Sequence, residues 1–297
     1  SAVANGTETY VYDPLDRLIE VAYDDGVNPV GTAQFAYDKN GNRTTLTSGS
    51  QVASYTYDAA DQLIAITGAQ NATYDYDANG NRTAVNSDTF AWDWNDRLTE
   101  ATVGSTSVEF AYDGDDTRAS KTVGSTTTAY LWDRDSGLLV DDGTTAAVHG
   151  AAGPLAEIDG SNAATYPLGD GLGSVRGVTD GSGSVVATAD YDVFGGTRAQ
   201  SGTQGAFGWT GEQQDAETGL TYLRARYCAP GSARFLTRDT VSPNVGGTQG
   251  YNGYAYANGN PVTLTDPSGH AAIGGLAGIG AWVRKASLLF ALLLDRV

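Results

Sequence analysis

The sequence contains few of the residues on which metal sites and many hydrolases depend. It has one cysteine, two histidines and no methionine in 297 residues. The lone Cys228 excludes intramolecular disulfides and every Cys-rich zinc site. With only His149 and His270, a histidine metal triad or a Ser-His-Asp relay is hard to assemble. We therefore expect neither a metal nor another cofactor, and we do not expect most of the common hydrolase mechanisms.

Basic residues are also scarce. Seventeen Lys and Arg stand against 35 Asp and Glu, which gives a formal net charge of -18 and a pI near 4.2. A nucleic-acid partner is not expected, because phosphate contacts need clustered Lys and Arg. Hydrophobic residues make up 40 % and aromatics 10 %, so the chain can bury a sizeable core in one large domain or two ordinary ones.

A short pattern recurs seven times in the first half of the chain: an aromatic residue, a spacer, a second aromatic residue and an aspartate. Successive aspartates stand 25, 20, 19, 16, 20 and 20 residues apart. The second aromatic and the aspartate of each copy are Tyr12 and Asp13, Tyr37 and Asp38, Tyr57 and Asp58, Tyr76 and Asp77, Trp92 and Asp93, Tyr112 and Asp113, and Trp132 and Asp133.

Each copy is typical of a β-hairpin. Aromatics at i and i+2 lie on the same face of a strand, and an aspartate ends the strand by bonding backbone amides of the turn. Asn40-Gly41 and Asn79-Gly80 are strong hairpin-turn sequences. A ~20-residue hairpin needs neighbours on both sides, so the repeats predict one long antiparallel sheet and an all-β fold. We interpret the Tyr-Asp pairs as scaffold, neither a catalytic nor a calcium site.

The repeats resemble the YD repeats of Rhs proteins, of the C components of insecticidal ABC toxins and of teneurins. Four runs in the second half are similar to the Rhs-associated core. They are YPLGDGLGSVR (166–176), ETGLTYLRARY (217–227), RFLTRD (234–239) and DPSG (266–269). The resemblance covers about residues 8–270. It implies a β-strip that spirals into a hollow shell, plugged at one end, which encloses a C-terminal toxic polypeptide of a secreted toxin system.

The same resemblance divides the chain into three parts. Residues 1–165 would form the YD-repeat strip, 166–270 the core domain, and 271–297 an apolar tail. The tail is Gly/Ala-rich and interrupted by two cations, which favours a helical hairpin or one amphipathic helix inside the shell; an interfacial membrane helix is the alternative. With 27 residues, it is too short for an ordinary folded toxin domain.

The resemblance also implies an aspartyl self-cleavage site. Asp239 and Asp266 correspond to the two family aspartates, and Arg238 precedes the first; the scissile bond would join His270 to Ala271. A close carboxylate pair shares a proton and supplies one acid and one base. The chain departs from the family motif in several places, with His270 where leucine is usual. The alternative is that both aspartates only cap turns and that the core is a plug.

The ends and edges of the chain suggest further hypotheses. The first residues show no signal peptide, and the chain begins almost inside a repeat, as expected for a piece of a longer secreted or cell-surface protein. A short strip leaves unpaired sheet edges, which favours self-association into fibres as an alternative function. A third hypothesis is an adhesive surface that binds glycans.

Overall fold

The chain is almost entirely β-sheet. The computed structural model describes residues 7–24, 29–150, 153–241 and 249–274. Every pair of neighbouring strands in these ranges is antiparallel, so the predicted all-β hairpin fold is confirmed. The described helices are single 3-10 turns at Trp209–Gly211, Gln249–Tyr251 and Ala257–Gly259. None of them is long and apolar enough to cross a membrane.

The first sheet has 13 strands, and each strand pairs with its neighbours in sequence. This order follows from the repeats, because each hairpin can pair only with the hairpins before and after it. The strands are β1 (Thr7–Tyr12), β2 (Leu18–Asp24), β3 (Pro29–Tyr37), β4 (Arg43–Ser48), β5 (Gln51–Tyr57), β6 (Leu63–Gly68), β7 (Ala72–Tyr76), β8 (Arg82–Val85), β9 (Asp88–Trp92), β10 (Leu98–Val103), β11 (Thr106–Tyr112), β12 (Arg118–Val123) and β13 (Thr126–Ala129).

A second sheet of eight strands continues the meander, and two small sheets follow it. Its strands are β14 (Leu131–Asp133), β15 (Leu138–Asp141), β16 (Thr145–Gly150), β17 (Gly153–Asp159), β18 (Ala164–Gly169), β19 (Val175–Asp180), β20 (Val185–Tyr191) and β21 (Thr197–Ser201). The small sheets contain β22 (Gln213–Asp215), β23 (Leu220–Leu223), β24 (Arg226–Ala229) and β25 (Arg234–Phe235), and β26 (Leu264–Thr265) with β27 (Ile273–Gly274).

The aspartates of the repeats build a five-residue turn. In the turn that begins at Asp58, Oδ1 accepts the N–H groups of Ala60 (2.8 Å) and Gln62 (2.9 Å). Asp61 takes a left-handed φ of 62°, which bulges the strand and closes the hairpin. The same Oδ1 contacts recur at ten aspartates: Asp13, Asp38, Asp58, Asp77, Asp93, Asp113, Asp159, Asp170, Asp180 and Asp192.

The second aromatic of a repeat bonds to the repeat before it. The Tyr57 hydroxyl donates to the Arg43 carbonyl oxygen at 2.8 Å, and the Trp92 indole N–H donates to that of Arg82 at 2.7 Å. Three others, Tyr37, Tyr112 and Trp132, make the same contact. Phenylalanine has no donor for this bond, and within the seven repeats it occurs only at the first aromatic position.

The core segment packs on the aromatic face of the strip. Tyr222 of β23 lies 5.6 Å from Trp132, and Tyr227 of β24 lies 5.5 Å from Phe110, measured between ring centroids. At the far end of the second sheet, Arg198 of β21 stacks 3.8 Å from the ring of Tyr23 in β2. The strip therefore curls until its last strand meets its beginning, and its inner face is filled by the core.

The structure describes only the start of the predicted helical tail. Residues 271–274 are extended rather than helical, because Ile273–Gly274 pairs with Leu264–Thr265 and the Ala271 N–H is bonded to Asp266. Residues 275–297 lie outside the described residues. The expected boundary between strip and core at 165/166 falls within β18, and the three-part division stays a prediction.

Candidate functional site

The candidate site lies where the β23–β24 hairpin meets the end of the core. Arg224 and Ala225 form the tight turn of this hairpin, with Arg224 at a left-handed φ of 59°. The Asp-Pro-Ser-Gly loop packs directly on that turn. Gly269 has a φ of 74°, and a Cβ there would lie 2.4 Å from the carbonyl oxygen of Leu223. Only glycine fits this position, which explains the last residue of the loop motif.

Arg226 holds the site together from the first residue of β24. Its side chain is 4 % exposed and donates to the carbonyl oxygens of Gly253 (2.7 Å) and Gly269. Its Nη2 lies 3.0 Å from Asp239 Oδ2 and 3.5 Å from Asp266 Oδ2. Burial lowers the pKa of Arg226, although both carboxylates oppose this effect. One guanidinium thus bridges the two aspartates that the sequence predicted.

Asp266 is hydrogen-bonded to the chain on both sides of the predicted scissile bond. Its Oδ1 accepts the backbone N–H groups of His270 and Ala271, both at 3.0 Å. Burial raises the pKa of the Asp266 carboxyl, and the charge of Arg226 offsets only part of this effect. Asp266 therefore holds a proton more readily than an ordinary aspartate does, and it lies beside the nitrogen of Ala271, which is the leaving group if the bond is cut.

Asp239 has the opposite electrostatic character. Burial alone would raise its pKa, but the hydrogen bond from His270 and the charge of Arg226 outweigh burial and lower the pKa. Its Oδ1 lies 2.9 Å from His270 Nδ1 and accepts the N–H of Val241 at 2.9 Å. Two neighbouring carboxyls whose pKa values move apart are the arrangement expected for a base and an acid.

A cavity of about 280 Å³ opens beside this cluster. Its wall includes His270, Arg226 and Thr237 from the core and Trp92 and Arg97 from the strip. The His270 side chain is 36 % exposed, whereas those of Asp239 and Asp266 are almost fully buried. Water can therefore approach the histidine but has little direct access to the carboxylates.

Arg238 does not lie between the aspartates. Its side chain is exposed, it lines the cavity wall, and within the described ranges it forms no ion pair. Arg226, rather than Arg238, lies beside both carboxylates. Arg226 belongs to the 217–227 run, but nothing in the sequence distinguishes it from Arg224 two residues earlier.

Among the described residues, neither Cys228 nor His149 is hydrogen-bonded to the Asp239–Arg226–Asp266 cluster. Cys228 is fully buried, and burial raises the pKa of its thiol to about 12. His149 packs against Phe207, its Nε2 lies 2.6 Å from the Leu139 carbonyl oxygen, and burial lowers its pKa. In the described part of the chain, no group of three or more His, Cys, Asp or Glu side chains is placed to hold a metal ion.

A comparison with models of protein families shows to which family this chain belongs. The model described as the teneurin YD-shell matches residues 2–262. The chain belongs to the teneurin YD-shell family. Its repeats, turns and aromatic face are therefore those of a YD shell, and the segment from 263 onward lies beyond the matched region.

Curated relatives are much longer than this YD-shell chain. It is 32 % identical over 273 residues to the tRNA3(Ser)-specific nuclease WapA of Bacillus spizizenii, covering 87 % of this chain and 12 % of that protein. It is 31 % identical over 131 residues to the toxin subunit YenC1 of Yersinia entomophaga, covering 42 % of this chain and 13 % of that protein. The chain thus spans about an eighth of these relatives.

Solved structures share the fold. The Photorhabdus luminescens Tc holotoxin pore aligns with a TM-score of 0.51 and 19 % identity, covering 91 % of this chain and 18 % of that one. The TcdB2-TccC3-TEV crystal structure aligns with a TM-score of 0.51, also at 19 % identity, over 90 % of this chain and 18 % of that one. At this identity, the likeness supports the YD-shell fold alone.

Proposed function

We propose that this chain is the end of a YD shell that encloses a toxin polypeptide and cuts it free between His270 and Ala271. The single observation that carries the proposal is the Asp239–Arg226–Asp266 cluster. It bonds directly to the residues on both sides of that peptide bond. A carboxyl pair used only to cap turns would not need a shared guanidinium or pKa values that move apart.

The two carboxyls have distinct roles in the proposed reaction. Water attacks the carbonyl carbon of His270, and its proton passes to the ionised Asp239 side of the cluster. Asp266 gives its proton to the nitrogen of Ala271, and the carbon–nitrogen bond breaks. Arg226 keeps the two carboxyls close and balances their charge. General acid and base groups of this kind each accelerate a reaction by roughly 100- to 10,000-fold.

The first experiment measures the intact mass of the purified chain over time. We expect the wild type to lose the segment after His270, and Asp239→Asn and Asp266→Asn to stay intact or to be cut at least about 100-fold more slowly. Asp58→Asn is the matched control, because it makes the same substitution in a repeat turn and should be cut normally. An uncut wild-type chain would remove self-cleavage and leave a shell without enzymatic activity.

Enclosure is tested separately, by limited proteolysis. The shell role rests on the filled aromatic face, the curled strip and the relatives named as toxin subunits. We expect the polypeptide after residue 270 to resist added protease in the native protein and to be digested once urea opens the shell. Digestion at equal rates in both states would contradict enclosure. A toxin shell would act outside the cell, so we propose a secreted or cell-surface location.

The fibre hypothesis keeps one observation in its favour. The edge strands are β1 and β13 in the first large sheet and β14 and β21 in the second, and all five residues of β21 (Thr197–Ser201) are exposed. Exposed edges can pair between copies. If fibres are the function, electron microscopy should reveal filaments that Ala199→Pro abolishes, since proline cannot donate to a sheet ladder. Single particles at all concentrations would support the shell instead.

A further inference from the structure

Asp266 is the less closely paired of the two buried carboxyls. Its side chain is 2 % exposed, and its Oδ2 lies 3.5 Å from Arg226 Nη2, whereas the same nitrogen lies 3.0 Å from Asp239 Oδ2. Its Oδ1 accepts uncharged donors, the backbone N–H groups of His270 and Ala271, both at 3.0 Å. A buried carboxylate is costly unless a cation pairs with it, so a positive charge at either donor would bind Asp266 tightly.

The residues that follow the predicted scissile bond are held on the core by a short strand pair. β27 (Ile273–Gly274) runs antiparallel to β26 (Leu264–Thr265), and the Ala271 N–H is bonded to Asp266. All of these contacts join residues 271–274 to residues 264–266. Hydrolysis between residues 270 and 271 breaks the chain but removes none of them.

Hydrolysis also changes the charge of the Ala271 nitrogen. The bond between the His270 carbonyl carbon and this nitrogen is replaced by a carboxylate and an α-ammonium group. Two protons reach the nitrogen, one from Asp266 and one from the new carboxylic acid of His270, and Asp266 is left as a carboxylate. An α-amino group has a pKa of about 8, so the ammonium form predominates at pH 7. The 3.0 Å contact between Ala271 N and Asp266 Oδ1 then joins opposite charges.

The new carboxylate of His270 does not have to stay beside Asp266. His270 lies in the wall of the cavity of about 280 Å³, together with Arg226 and the exposed Arg238. A carboxylate at this chain end therefore has open space and guanidinium groups within the same cavity. The ammonium group of Ala271 keeps Asp266 as its partner.

We propose that Asp266 and β26 form a binding site for the free N-terminus of the cleaved polypeptide. The site takes a peptide whose α-ammonium group pairs with Asp266 and whose third and fourth residues extend along β26, which combines capture of a terminal amine with strand addition. The proposal rests on the self-cleavage proposed above and concerns its product. The cut polypeptide remains bound through residues 271–274 after its covalent link is gone.

The test uses the whole chain after it has cut itself. Size-exclusion chromatography in native buffer, followed by intact mass, should detect residues 271–297 in the same fractions as residues 1–270. The pKa of the Ala271 amine is then measured from the pH dependence of its acetylation by acetic anhydride. It should lie about one pH unit or more above that of a free synthetic peptide of residues 271–280, because a carboxylate partner favours the charged form.

This readout separates ion pairing from enclosure in the shell. Burial without a partner lowers the pKa of an amine, so an enclosed but unpaired terminus would shift in the opposite direction. An Ala271 amine with the pKa of the free peptide or below it, or a segment that elutes apart from residues 1–270, would overturn the binding site and leave self-cleavage standing. A chain that is never cut would overturn both proposals.

Discussion

Two buried arginines in this molecule face aspartates, yet their surroundings differ. Arg118 is fully buried and bonds to Asp215, Gln213 and the Tyr227 hydroxyl, and Lys121 also reaches Asp215. Burial alone would lower the pKa of Arg118, but Asp215 and neighbouring hydroxyls raise it well above its usual value. The cluster contains at least one cation for each carboxylate and is stacked on aromatic rings.

The Arg226 cluster has the opposite balance. One cation serves two carboxylates, burial lowers its pKa, and the cluster touches a peptide bond and a cavity. A buried cluster in which each carboxylate has a cation is costly to break by removing one partner. A cluster with a surplus carboxyl has protons to exchange. Burial and an arginine–aspartate contact are therefore not enough to identify a candidate reactive site. The ratio of cations to carboxylates distinguishes the Arg226 cluster from the Arg118 cluster.

The largest effect on stability is expected at the Arg118 cluster, in which each carboxylate has a cation. Arg118→Leu leaves Asp215 buried with only Lys121 as a cationic partner, and should lower the free energy of unfolding by roughly 3–5 kcal/mol. Urea unfolding measures this loss. The cleavage rate of the protein that remains folded should not change. A loss below about 1 kcal/mol would mean that Asp215 is solvated or protonated when alone.

The next largest effect, on the rate of the proposed self-cleavage, is expected at the Arg226 cluster. Arg226→Lys keeps the charge but loses the planar fork that reaches two carbonyl oxygens and two carboxylates. Self-cleavage should slow by about 100-fold, which corresponds to a barrier about 2.7 kcal/mol higher. The intact-mass time course provides the rate. Wild-type cleavage in this variant would show that charge alone, without the fork, positions the aspartates.

Glu157 is a further buried carboxyl, and it has no cationic partner in the described ranges. It extends the comparison of the two arginine clusters. Glu157 is 3 % exposed and accepts the Ala206 N–H at 2.7 Å. Burial raises its pKa, so the folded state binds the proton more tightly than the unfolded state. Its contribution to stability is complete below the unfolded pKa and is lost as pH rises through the folded pKa.

Glu157→Gln should therefore raise the melting temperature at pH 7 and have little effect at pH 4. Melting curves of both proteins at the two pH values make the comparison. An equal shift at both pH values would point to altered packing around Ala206 rather than to the charge.

The smallest effect is expected in a repeat turn, away from both arginines. Asp16 is exposed and has a left-handed φ of 59°, a conformation that costs an L-residue roughly 1 kcal/mol. Asp16→Gly should stabilise the chain by about 0.5–1 kcal/mol in urea unfolding and leave cleavage unchanged. If the variant is less stable, the flexibility of glycine in the unfolded chain outweighs the relief of strain.

The sequence was sufficient to predict the sheet because the period and the turns are local. Six of the seven predicted aspartates make the same turn; Asp133 instead begins a turn in which its carbonyl oxygen accepts the Gly137 N–H. Four aspartates with that turn lie in the second sheet. Two of these, Asp159 and Asp180, follow Ile158 and Thr179, so an aromatic pattern could not detect them.

The candidate site was only partly predictable from the sequence. Asp239 and Asp266 were named from a motif, and the structure brings them to one guanidinium. Whether Arg226 reaches the aspartates depends on which side of β24 faces the core. The 217–227 run has no periodic pattern from which this orientation could be predicted. The contact of His270 with Asp239 joins residues that are 31 apart in the sequence, in a part of the chain where no repeat constrains the geometry.

The bond that five of the second aromatics make to the preceding repeat gives the strip a direction. In these repeats the side chain of the second aromatic donates to a backbone carbonyl oxygen of the preceding repeat, which is synthesised first. During translation, a hairpin that makes this bond therefore meets a partner that has already been synthesised. The strip can form from its N-terminal end, and the Asp239–Arg226–Asp266 cluster is completed last.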